Sequence, residues 1–126
     1  MSLNAEIQRQ GNVTVIRLKG DITLGKAASQ FRDLAEREIA SGHTKLVLVM
    51  EEIRLVDSGG LAALLSAFMS AKKAGGELVL VALTDLVKHL LKVTGLIGVV
   101  DVFDTVDEAV KHLGDAPSPA AESGSS

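Results

Sequence analysis

The chain has 126 residues, enough for one small domain with a packed core, and 47 % of them are apolar. Aromatic residues make up only 2 %, with no Trp or Tyr, and the formal net charge is −3. This excludes aromatic stacking platforms for bases or sugars and a basic nucleic-acid footprint. With no cysteine there is neither a disulfide framework nor thiol chemistry. No apolar run reaches membrane-spanning length and no signal-peptide pattern opens the chain, so the expectation is a cytoplasmic protein without direct membrane insertion.

In chain order, Glu6 to Gln10 and Val13 to Lys19 are two extended runs, and Gly11-Asn12 between them is a two-residue hairpin signal. Gly20-Asp21 ends the second run. Thr23 is placed to cap a helix from Gly25 to about Ser41, with Ala27, Ala28, Phe31, Leu34, Ala35 and Ile39 facing inward and Gly42 closing it. Lys45 to Met50 is an apolar, β-branched strand. A loop then runs through Asp57 to a helix from Ser58 to about Ala74, whose apolar stripe is Leu61, Leu64, Leu65, Phe68 and Met69.

Gly75-Gly76 leads into a strand from Glu77 to Ala82. Thr84 caps a helix with Leu86, Val87, Leu90 and Leu91 inward, and Gly95 closes it. Val99 to Phe103 is a last short strand. Thr105 and Glu108 have capping-box spacing ahead of a helix that buries Val106, Ala109, Val110 and Leu113 and stops at Gly114. From Asp115 onward Pro, Ala, Ser and Gly dominate, so residues 1–114 are expected to form the domain and 115–126 a disordered tail. The order β-β-α-β-α-β-α-β-α requires an α/β fold, with a mixed, largely parallel sheet and helices packed against it.

The stretch that stands out is Asp57-Ser58-Gly59-Gly60, where a strand hands over to a helix. Helix N-termini hold unpaired N–H groups and favour negative charge, so a hydroxyl there can carry a phosphate at little cost to the fold. Taken alone, Asp and Ser before a helix are ordinary caps. Two adjacent glycines are poor helix formers, each about 1 kcal/mol worse than alanine, and they leave the approach to Ser58 uncovered. The four residues also match most of the Gly-Asp-Ser-Gly-Gly box of trypsin-like proteases. Val56 replaces its first glycine, and the alternation of strand and helix contradicts that all-β fold. Val56 likewise removes the Gly-x-Ser-x-Gly nucleophile elbow. His43, His89 and His112 lie in separate elements with no companion motif, and no phosphate-binding glycine loop follows a strand. No catalytic residues, metal ligands or cofactor are expected.

Four segments in order are similar to those of the STAS domain, the fold of bacterial anti-sigma factor antagonists. They are Val15 to Ile22, Leu46 to Val49 with Val56 to Leu61, Lys73 to Leu80, and Val87 to Leu91 with Thr94-Gly95-Leu96. The resemblance covers about Val13 to Leu113. It implies that Ser58 is a phosphoacceptor for an anti-sigma factor that is also a serine kinase. The unphosphorylated form would bind that kinase and release a sigma factor, and a PP2C-type phosphatase would reset the switch. Asp57, Gly59, Gly60, Asp21 and Thr23 are the implied partner-binding residues. Two positions depart from the family pattern: Gly59 stands where a second Ser or Thr is usual, and Thr23 where many antagonists have Asp. The alternative within the same family is a docking or scaffold subunit of a transporter, lipid-transport or signalling complex.

Overall fold

Along Leu46-Val47-Leu48-Val49, the leucines face one side of a sheet and the valines the other, and all four are buried. A strand covered on both faces shows such a continuous apolar run. In the computed structural model, which describes residues 3–115, this strand is the middle of five.

The elements are β1 (Leu3–Gln10), β2 (Val13–Ile22), α1 (Lys26–Ala40), β3 (Lys45–Val56), α2 (Ser58–Lys73), β4 (Glu77–Val81), α3 (Asp85–Val93), a 3-10 turn (Leu96–Gly98), β5 (Val102–Phe103) and α4 (Val106–Asp115). The sheet order is β1-β2-β3-β4-β5, with β1 antiparallel to β2 and the other pairs parallel. Because each parallel strand is added to the same side of the last, right-handed crossovers put α1, α2 and α3 on one face. That face holds the larger core, in which Ile16, Leu18, Leu46, Leu48, Leu78 and Leu80 meet Phe31, Leu64, Phe68, Val87 and Leu91. On the other face Val13, Val15, Val47, Val49, Val79 and Val81 are covered by Ala109 and Leu113 of α4.

The mixed α/β architecture is the one expected, and several boundaries differ from the sequence reading. Strand β2 continues past Gly20-Asp21 to Ile22, because Gly20 takes a φ of 118° that other residues rarely adopt. The cap of α1 is Gly25, at φ 100°, and Thr23 does not cap it; the Thr23 carbonyl instead accepts from the Ala28 N–H at 2.9 Å.

Strand β3 extends six residues beyond Met50, where a loop was expected. Its pairing with β2 jumps twice: Arg17 and Lys19 face Val49 and Glu52, and Gly20 and Asp21 face Ile53 and Leu55. Each jump places one extra residue in β3. These bulges carry the strand through the charged Glu51-Glu52 pair and return Ile53 and Val56 to the core.

The buried face of α2 is Gly60, Ala63, Leu64, Ala67, Phe68 and Ala71, rotated from the stripe expected, and Met69 is 60 % exposed. Small side chains allow close helix packing, and that outweighs the larger apolar area of Leu61, Leu65 and Met69 at the flank. Leu86 of α3 is likewise exposed. The last strand is reduced to Val102–Phe103, and residues 96–98 form a 3-10 turn. The capping box holds: Glu108 N–H donates to Thr105 Oγ1 and Thr105 N–H to Glu108 Oε1, each at 3.2 Å. Helix α4 passes Gly114 and includes Asp115, and residues 116–126 of the expected tail lie outside the described residues.

Candidate functional site

The end of β3, the start of α2 and the loop between β2 and α1 meet at Asp57. Its backbone is extended, and its side chain caps α2 by accepting from the Gly60 N–H at 2.9 Å. The same carboxylate accepts from the Leu24 N–H at 3.0 and 2.9 Å through its two oxygens. Asp57 N–H donates to the Ile22 carbonyl at 3.4 Å. One side chain thus ties two segments 33 residues apart, and the carboxylate lies at the positive end of the helix.

The Leu24 N–H, then that of Gly60, holds the Asp57 carboxyl below its ordinary value of 3.8, against a smaller opposing effect of desolvation. A carboxylate with a depressed folded-state value stabilises the fold above its unfolded-state value, and that stabilisation is lost as pH falls through the folded one. Asp57→Asn is therefore expected to lower the melting temperature at neutral pH. It should also flatten the part of the stability profile below about pH 4. Melting curves from pH 6 downward check this; profiles that fall in parallel for the two proteins would refute it.

Ser58 is the first residue of α2 and is exposed. Among the described residues its hydroxyl has no hydrogen-bond partner. The two glycines after it are there for close approach. A Cβ on Gly60 would lie 1.7 Å from the Ile22 carbonyl oxygen, and one on Gly59 would lie 2.6–2.9 Å from Leu24. Gly60 is buried and offers a partner no surface, whereas Gly59 is half-buried beside Ser58.

Of the residues named from sequence, Asp57, Ser58, Gly59 and Gly60 are contiguous, and Thr23 adjoins them through the Asp57–Leu24 link. Asp21 sits deeper, at 8 % exposure, with Arg54 Nη2 3.5 Å from its Oδ1, an ion pair without hydrogen-bond geometry. Leu24, 77 % exposed against Gly59, was missed. The available signal was a leucine outside any periodic stripe, between Thr23 and Gly25.

A STAS domain family model matches residues 4–109. A protein from Thermotoga neapolitana named as a candidate anti-sigma factor antagonist is 29 % identical over 72 residues. That match covers 57 % of this chain and 64 % of the relative, so the alignment spans less than two thirds of that relative's length. The anti-sigma F factor antagonist of Paenibacillus polymyxa is 24 % identical over 116 residues, which is 90 % of this chain and 97 % of the relative. The crystal structure of a candidate anti-sigma factor antagonist from Thermotoga maritima superposes with a TM-score of 0.82 at 22 % identity, covering 87 % of this chain and 94 % of that one. At that identity the structural likeness establishes the fold. With the family model spanning most of the sequence and the same five-stranded sheet in place, the chain belongs to the STAS domain family.

Proposed function

We propose that this chain is an anti-sigma factor antagonist switched at Ser58. The unphosphorylated form binds an anti-sigma factor that is also a serine kinase, and so frees a sigma factor. Phosphorylation of Ser58 by that kinase ends the interaction, and a PP2C-type phosphatase restores it. The chain acts in the cytoplasm as a binding switch, without catalysis of its own.

The observation that carries this reading is the exposed, unpartnered Ser58 hydroxyl on the first residue of a helix whose start is anchored at three backbone N–H or carbonyl groups by Asp57. The partner surface consists of Ser58, Gly59 and the exposed edge of Asp57, with Thr23 and Leu24 beside them. Gly60 acts from beneath by letting the two backbone segments pack closely, and Asp21 lies deeper in its ion pair with Arg54. The names of the sequence relatives support the same reading. Gly59 removes the spare hydroxyl that the family pattern has next to the acceptor, so a single phosphate is expected.

The test is to incubate the protein with ATP and a serine kinase recovered on it from host lysate, and to map phosphate by mass spectrometry. One phosphate on Ser58, none on Ser58→Ala, and release of the kinase on modification are expected. Phosphate at another residue, or recovery of transporter components irrespective of Ser58, would sink the reading in favour of a docking subunit.

A further inference from the structure

At the other end of the parallel strands, three side chains from three elements converge. Glu77 opens β4, Asp101 directly precedes β5, and His112 lies in the C-terminal half of α4. His112 Nε2 is 3.4 Å from Glu77 Oε2 and 3.7 Å from Asp101 Oδ2, and the three donor atoms all lie within 4.8 Å of one another. Donors held about 2.0–2.1 Å from one ion at tetrahedral angles are separated by about 3.3–3.4 Å. The two spacings from His112 Nε2 lie close to this value. The imidazole is oriented by Phe103, whose ring centroid is 5.1 Å from its own.

The side chains of Glu77, His112 and Asp101 are 30 %, 38 % and 59 % exposed, so the cluster is open on one side to water as a further ligand. With a neutral imidazole, the cluster carries two negative charges on three converging acceptors. The neighbouring cation is Lys45, paired in register with Glu77, and its ammonium donates to the Leu113 carbonyl at 3.0 Å.

We propose that Glu77, Asp101 and His112 form a binding site for a divalent transition-metal ion of the zinc type. An imidazole with two carboxylates suits Zn²⁺, whereas Mg²⁺ and Ca²⁺ prefer all-oxygen sets. The bound ion joins the end of α4 to β4 and to the segment entering β5. It therefore clamps the helix that covers the valine face of the sheet among the described residues. The Ser58 surface, on the opposite face at the other strand ends, is left unchanged.

The test uses the full chain without an affinity tag, titrated with Zn²⁺ by calorimetry and followed by thermal unfolding. Wild type is expected to bind one ion with micromolar affinity and to melt roughly 5–10 °C higher at about a hundredfold excess over Kd. His112→Ala should weaken binding at least tenfold. Asp101→Asn, at an exposed position where the fold tolerates change, should do the same. His43→Ala and His89→Ala should bind like wild type, and Mg²⁺ should give no shift. The proposal is overturned if wild type shows no zinc binding up to millimolar ion. It is also overturned if His112→Ala and Asp101→Asn both bind as wild type does, or if only His43→Ala or His89→Ala loses binding.

Discussion

Gly60→Ala is expected to destabilise the protein by about 3–4 kcal/mol, lowering the melting temperature by roughly 10–15 °C. The added Cβ would lie 1.7 Å from the Ile22 carbonyl oxygen and 2.7 Å from its carbon, both backbone atoms at the end of β2. Relief requires the helix start to move away from β2, which breaks the bonds that Asp57 makes to Gly60 and Leu24. Gly59→Ala provides the contrast. Its Cβ would meet Leu24 Cδ1 at 2.6 Å, which side-chain rotation relieves, and Leu24 Cβ and Cα at 2.7 and 2.9 Å, which a shift of the exposed loop must relieve. The helix-propensity gain of alanine, about 1 kcal/mol, offsets part of that strain, so a net cost of about 1 kcal/mol or less is expected. Chemical denaturation of both variants decides. Equal losses would mean that the glycines are not distinguished by what lies against them.

Ser58→Asp is expected to weaken binding to the proposed anti-sigma kinase partner about a hundredfold, equivalent to about 2–3 kcal/mol of lost complementarity. The same substitution should leave the melting temperature nearly unchanged, since Ser58 is exposed and its hydroxyl makes no hydrogen bond among the described residues. The reason lies in what already occupies the helix N-terminus. The Asp57 carboxylate takes the Gly60 N–H and lies on the positive end of α2. Under the proposed switch, a phosphate on Ser58, adding about −1.5 to −2 charge, would be repelled by that carboxylate and turned toward solvent, where it would meet a docked partner. The helix tolerates the group because it stays outside. Calorimetric titration of kinase with wild type, Ser58→Ala and Ser58→Asp tests this. Wild-type affinity in the Asp variant would end the switch mechanism, whereas the Ala variant should bind as wild type does.

Most of the fold could be read from local pattern. The apolar, β-branched run Lys45 to Met50, the Gly11-Asn12 turn and the Thr105/Glu108 box are short-range signals, and each appears in the structure as expected. The misreadings have long-range causes. Glu51-Glu52 ended the apolar run of β3, and only pairing with β2 shows that two extra residues carry the strand onward. The inward face of α2 was placed on its largest side chains, whereas contact with the sheet and α1 selected the alanines. At the site, the Asp57-Ser58 handover was legible as a strand–helix junction. The reason for the two glycines was not, because the atoms they avoid belong to Ile22 and Leu24. The Glu77, Asp101 and His112 cluster left no trace in sequence spacing, since β4, β5 and α4 bring its members together only through the sheet.

The two cores are unequal, and this gives the molecule a preferred place to come apart. Three helices share the leucine face, whereas among the described residues α4 is the one helix on the valine face, through Ala109, Leu113 and the partly buried Val106 and Val110. Detaching α4 exposes that face without disturbing the β3–α2 junction or Ser58. A subglobal opening of α4 that leaves the remainder intact is therefore expected, and earlier hydrogen exchange of the α4 amides than of those in β3 checks it. The proposed recognition surface around Ser58 lies outside that unit.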